Sequence, residues 1–186
     1  MHRGFRQAVL TLLVCAGFGA QAGAQDAGAG VVNVAVTLTA PRDPARGAVT
    51  NLPVPRFVSL KTNEGNVRRG PGLTHRVDWV FTRPGMPLRI TAEYENWRRV
   101  EDRDGAGGWI HYALLSGVRT VLIAEDMAEF RALPDRSAEV VAQAEYGVVA
   151  KLLECDANWC RINAEGEKGW VEKAMLWGAE PGEVVD

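Results

Sequence analysis

The feature that most constrains this chain is a ten-residue stretch that occurs twice. Gly108-Trp109-Ile110-His111-Tyr112-Ala113-Leu114-Leu115-Ser116-Gly117 returns as Gly169-Trp170-Val171-Glu172-Lys173-Ala174-Met175-Leu176-Trp177-Gly178. Gly108, Trp109, Ala113, Leu115 and Gly117 match Gly169, Trp170, Ala174, Leu176 and Gly178, each 61 residues on. A further Trp stands ahead of each copy, Trp97 after Asn96 and Trp159 after Asn158. Landmarks that keep register over such a distance mark a duplicated unit. A unit of about 60 residues buries only about 60% of its unfolded surface. Two such units need to lean on each other or carry a covalent staple.

Within each unit the apolar pattern is that of short strands. Leu88 to Tyr94 alternates, Glu95-Asn96 reads as a two-residue turn, and Trp97 to Glu101 runs back as the partner strand. Arg103 to Gly108 holds a second turn before Trp109-Ile110, and Tyr112 to Leu115 suits a single 3₁₀ turn ended by Gly117. The second unit repeats the plan, with Val148 to Cys155 paired to Trp159 to Ile162 through Asp156-Ala157-Asn158. Gly and Pro turns with little sustained helical periodicity make the chain all-β.

The first 24 residues read as a secretory signal peptide. Arg3 and Arg6 give a positive start, Ala8 to Phe18 an apolar centre, and Ala22-Gly23-Ala24 a cleavage site after Ala24. The apolar run is too short for a membrane anchor, which needs roughly 20 residues. Val14 before Cys15 is a poor context for lipidation. The expected product is soluble, periplasmic or secreted. Loss of Arg3 and Arg6 leaves 19 basic against 23 acidic residues, a net of −4. Residues 25–54, rich in Ala, Gly, Val and Thr, read as flexible linker, although Val31 to Leu38 could pass for a strand. Modules then occupy 55–118 and 119–180, and 181–186 is a tail.

Asn66-Val67-Arg68-Arg69-Gly70-Pro71-Gly72, the Trp97-Arg98-Arg99-Val100 hairpin strand and the Gly108-Trp109-Ile110 strand with its Ala-x-Leu turn resemble the bacterial SH3-like (SH3b) domain. The likeness is closest to exported proteins with two such modules and covers about residues 55 to 179. The second copy departs from it at Phe130-Arg131-Ala132-Leu133-Pro134. The resemblance implies two tandem small SH3-like barrels and a binding role, often in the cell envelope, without catalysis by the modules.

Cleavage also removes Cys15 and leaves Cys155 and Cys160 across the predicted hairpin, which argues for one disulfide in an exported protein. A zinc site would need more ligands than these, and His75 and His111 both belong to the other module. No metal or cofactor is expected. Trp97, Trp109, Trp159 and Trp170 recur at matched positions, which suits core packing, with a ligand-facing role open for one or two. Residues 55–118 hold 10 basic and 7 acidic residues, a net of +3; residues 119–186 hold 7 and 14, a net of −7. Opposite charge on the two halves can simply help them dock. The sharper reading is an anion-binding groove in module one. Arg68, Arg69, His75, Arg76 and Arg83 would supply the charge, and Trp79 and Tyr112 the stacking faces. It would lie between the Asn66–Phe81 loop and the Asp102–Gly108 turn.

An acidic, exported chain is a poor partner for nucleic acid. Three Ser and two His remain after cleavage, no Gly-x-Ser-x-Gly or His-Glu-x-x-His motif occurs, and little length is left for a catalytic domain. The chain reads as no enzyme. Its expected partner is cell-wall peptidoglycan or a short peptide, with docking of an envelope protein on acidic module two as the alternative.

Overall fold

The computed structural model describes residues 43–186. The signal-peptide expectation and the strand candidate at Val31 to Leu38 lie outside the described residues.

Module one contains β1 (Arg56–Leu60), β2 (Gly65–Arg68), β3 (Val77–Phe81), β4 (Pro87–Tyr94), β5 (Trp97–Glu101) and β6 (Gly107–His111). A 3₁₀ turn at Tyr112–Leu114 and the short β7 (Leu115–Ser116) complete it. Module two contains β8 (Thr120–Ile123), β9 (Ala128–Arg131), β10 (Val140–Ala144), β11 (Val149–Cys155), β12 (Trp159–Ala164) and β13 (Glu167–Glu172). Its own 3₁₀ turn at Lys173–Met175 leads into β14 (Leu176–Trp177). The sheet orders are β3-β2-β6-β5-β4-β1-β7 and β10-β9-β13-β12-β11-β8-β14, so each strand has its counterpart seven strands later. The expected all-β duplication is therefore present, as two seven-stranded sheets with separate cores. Leu60, Val67, Leu88, Ile90 and Ile110 fill the first core; Val121, Ile123, Phe130, Ile162 and Val171 fill the second.

The repeated Gly-Trp pair has a steric cause. A Cβ on Gly108 would stand 2.5 Å from the Arg68 carbonyl, and one on Gly169 would stand 2.7 Å from the Phe130 Cβ. Only glycine lets β2 and β9 cross so close to β6 and β13. Each following Trp then pairs in register with an arginine, Trp109 with Arg68 and Trp170 with Arg131.

A matched bulge decides a second feature. Register shifts between Ile90 and Ala92 in β4, and between Leu152 and Glu154 in β11. An extra residue in a strand flips the in–out alternation beyond it. Leu88 and Ile90 face the core before the bulge, and Glu93 is buried after it; Leu152 precedes the second bulge and Cys155 is buried after it. Glu93 pairs with Arg98 in register, and Cys155 with Cys160. The disulfide joins Cys155 and Cys160. In module one an ion pair between Glu93 and Arg98, 3.6 Å apart, takes the same place.

Both places receive a flanking segment, and here the linker expectation over residues 43–54 and the tail expectation need correction; residues 25–42 of the linker lie outside the described residues. Residues 43–54 fold onto β4. Glu93 Oε2 accepts from the amides of Val49 at 3.0 Å and Thr50 at 2.8 Å, while Oε1 accepts from the Thr50 hydroxyl at 2.7 Å and from Arg56 at 2.6 Å. In module two the tail pairs with the disulfide strand: the Cys155 amide donates to the Val185 carbonyl at 2.8 Å, and the Val185 amide donates back at 3.0 Å. Arg119 grips Glu183 with both terminal nitrogens, at 2.7 and 3.0 Å. Neither segment is free: the first is held by the Glu93 carboxylate of β4, and the second bridges the backbone of Cys155 in β11.

Only Gly117, Val118 and Arg119 separate β7 from β8, and the modules meet directly. Phe57 packs edge-on against Trp177 at 5.0 Å. Thr120 Oγ1 donates to the Gly85 carbonyl at 2.7 Å, and Arg83 donates to the Gly147 carbonyl at 2.7 Å. Arg83 of module one thus reaches a neutral acceptor across the seam. Among the described residues no helix is long and apolar enough to cross a membrane.

Candidate functional site

Five of the six ligand residues expected from sequence come together on the β2–β3 hairpin, but their side chains are partly committed. Arg68 donates to the carbonyls of His75 at 2.7 Å and Leu73 at 3.1 Å, so its guanidinium braces the loop. Arg131 braces the matching loop of module two through the Ala138 carbonyl at 2.7 Å. Arg69 and Arg76 flank Asp78 at 3.2 and 2.7 Å, with their own side chains 67% and 68% exposed. The Arg76 hydrogen bond, reinforced by Arg69 against partial desolvation, holds the Asp78 carboxyl below its ordinary range. The trio keeps one net positive charge. The His75 ring rests on Gly70, where a Cβ would stand 2.6 Å from it.

Trp79 belongs to the same hairpin, and only Tyr112 lies apart from it, just after β6. Trp79 is 52% exposed on edge strand β3, opposite Val67. Tyr112 sits beside the β4–β5 turn, its amide donating to the Asn96 carbonyl at 2.9 Å. Its ring lies 5.0 Å from His111 and 5.8 Å from the Arg98 guanidinium. The Asp102–Gly108 turn, expected as the far wall of the groove, turns Arg103 toward module two instead. Arg103 donates to the Tyr146 hydroxyl at 2.5 Å and the Ala124 carbonyl at 3.1 Å. Arg83 also belongs to the seam.

A concavity lies in module two. It holds about 990 Å³ and has four sides. The β9–β10 loop gives Pro134, Asp135 and Arg136; the β11–β12 turn gives Ala157, Asn158 and Trp159. Glu172 to Ala174 and Leu176 form the third side, and Ala179, Pro181 and Gly182 of the C-terminal segment the fourth. The β9–β10 loop is drawn over the sheet by a two-pronged pair, Arg136 Nε and Nη2 each 2.7 Å from a Glu172 oxygen. That hydrogen bonding outweighs desolvation and keeps the Glu172 carboxyl below its ordinary range. Asp135 is lowered too, by the Ser137 hydroxyl and amide. Lys173 is buried, and its Nζ donates to the carbonyls of Asp156 at 2.5 Å, Ala157 at 3.2 Å and Glu183 at 2.6 Å. It ties the turn to the C-terminal wall. Half-buried Trp159 offers a stacking face. Such a groove can hydrogen-bond and stack an extended ligand. Among the described residues no cluster of three His, Cys, Asp or Glu could hold a metal.

Sequence reasoning placed a groove in module one and none in module two, where the Phe130 to Pro134 departure drew attention away from Arg131, which matches Arg68. It missed Glu93 and Lys173 because each is buried by contacts more than ten residues or a whole strand away. Arg131 at the position of Arg68 was the available signal.

Two small sheets with one strand order, each closed by a 3₁₀ turn and a two-residue strand, define a tandem SH3-like protein. The family model described as "Bacterial SH3 domain" matches residues 61–117 and 124–178, more than half of the chain, and the chain belongs to that family. It is 25% identical over 128 residues to the "Putative N-acetylmuramoyl-L-alanine amidase YrvJ" of Bacillus subtilis (strain 168). That match covers 63% of this chain and 24% of the relative, so the chain spans about a quarter of that protein's length. Among solved structures, NlpC2 and NlpC1 of Trichomonas vaginalis are similar at 16% identity and a TM-score of 0.32 each. These cover 66% and 73% of this chain and 48% and 50% of theirs.

Proposed function

We propose that the chain is an exported, non-catalytic wall-recognition protein of the periplasm, whose module-two groove holds a short peptide of peptidoglycan. The observation that carries this is the four-sided groove of about 990 Å³ with Trp159 in its wall. Its size lies at the upper end of the roughly 300–1,000 Å³ of ordinary ligand sites, which leaves room for several residues of an extended peptide. Kinship with a protein named as a muramoyl-L-alanine amidase supports the choice of wall material. The basic hairpin of module one adds long-range attraction to an anionic wall through Arg69 and Arg76, which remain exposed. A signal peptide at residues 1–24 delivers the chain.

Pull-down of residues 25–186 with purified sacculi tests this reading. Trp159→Ala is expected to abolish retention at every salt concentration, while Arg69→Ala with Arg76→Ala weakens it only at low salt. Full retention of the Trp159 variant would sink the groove. A protein-docking reading keeps some support from Glu165 and Glu167, exposed on the β12–β13 turn of the acidic module. Under it, charge reversal at both would lower capture of an envelope partner; unchanged capture would remove that reading.

A further inference from the structure

A second, smaller cavity lies on the seam between the modules and holds about 210 Å³. Two bridges frame it. Arg83 donates to the Gly147 carbonyl at 2.7 Å, and Arg103 donates to the Tyr146 hydroxyl with its guanidinium 4.9 Å from the ring centre. Met86 and Leu122, one from each module, and Trp177 give an apolar floor. Trp177 is fixed by its edge contact with Phe57. Asp102 and Asp104 supply the remaining polar side. Asp102 Oδ1 accepts from the amides of Asp104 at 3.0 Å and Ala106 at 2.8 Å, which sets the turn. Neither aspartate enters an ion pair among the described residues.

We infer that this seam cavity binds a single free amino acid with an apolar side chain. The lining carries two arginines and two aspartates, so its formal charge sums to zero. A ligand of one sign would be repelled by one pair as it is attracted by the other, whereas a zwitterion meets both. A guanidinium has five donors, and the seam bonds leave some on each arginine for a carboxylate. Asp104 and the second oxygen of Asp102 are left for an ammonium group. The volume falls below the roughly 300–1,000 Å³ of drug-sized ligands, which limits the occupant to about one residue. The Met86, Leu122 and Trp177 floor covers its side chain. Both modules contribute, so the occupant binds only the closed seam and holds it closed. This site is separate from the module-two groove and does not depend on it.

Calorimetric titration of the exported chain with L- and D-leucine tests the inference, beside leucinamide, which lacks the carboxylate, and 4-methylpentanoic acid, which lacks the ammonium. At least one leucine is expected to bind with a Kd of about 1 mM or tighter, and both analogues at least about tenfold more weakly. Asp104→Asn, at an exposed side chain that makes no hydrogen bond among the described residues, should weaken leucine to the same extent. Arg136→Ala, in the other groove, should leave it unchanged. Absence of saturable binding by either leucine, equal binding of either analogue, undiminished binding by Asp104→Asn, or loss in Arg136→Ala would each overturn the assignment.

Discussion

Glu93 shows what one residue holds together. Burial alone would raise its carboxyl, but hydrogen bonds from Thr50, Arg56 and Val49 outweigh that and lower it from 4.5 to about 2. A carboxyl lowered on folding adds stability above its unfolded value, and that stability is lost as pH falls from about 4.5 through about 2. By linkage, and after allowing for solvent screening, Glu93→Gln should cost about 2 kcal/mol at pH 7. It should also flatten the acid limb, so urea unfolding of both proteins at pH 7 and pH 3 checks size and sign; equal slopes would remove Glu93 as the hub. Arg68 and Arg131 act alike, each filling carbonyls that its loop leaves open. Either one changed to Ala should cost about 0.5–1.5 kcal/mol, the net worth of an ordinary hydrogen bond where water can replace the lost donor, read as a fall in the denaturation midpoint. A sequence cannot show these roles directly. Alternation places Leu88 and Ile90 inside, but the bulge at Ala92 reverses the faces, and no residue type in Thr91-Ala92-Glu93 announces it.

Among the elements, the repeat landmarks were a sound guide to the strands. Glu95-Asn96 forms the turn expected of it, Tyr94 facing Trp97, with Glu95 at a φ of 45° that the tight connection requires. Cys155 and Cys160 face each other as their spacing suggested. The terminal segments were not legible, because what fixes them acts across the chain: Arg119 reaches Glu183 64 residues on, and Val49 reaches Glu93 44 residues on. Only folding brings those partners together. The C-terminal segment is also a wall of the groove, so its grip has a consequence for binding. Glu183→Gln should loosen residues 179–186, seen as faster amide exchange at Cys155 and Val185, and should weaken sacculus retention while the core of module two stays folded. Breaking the disulfide with Cys155→Ser and Cys160→Ser should cost about 2 kcal/mol, since the loop it closes is short. Thermal denaturation with and without reductant measures that loss.

At the scale of the whole molecule, the two modules have diverged from one plan. Module one uses an ion pair where module two uses a disulfide, exposes a basic hairpin, and turns its Arg83 and Arg103 into the seam. Module two carries a four-sided concavity around which Arg136 and Lys173 draw three segments. The seam should make them unfold as one unit. Arg83→Ala with Arg103→Ala is expected to split a single calorimetric transition into two; a single unchanged transition would show that these bonds do not couple the modules. Charge totals do not account for the seam, whose arginine acceptors are backbone carbonyls and one tyrosine. The most direct measurement is an amide-shift titration of residues 25–186 with a soluble peptidoglycan stem peptide. Shifts centred on Pro134–Arg136, Ala157–Trp159 and Glu172–Ala174 are the expected result. Shifts confined to Arg68–Trp79 of module one, or none at saturating peptide, would contradict it.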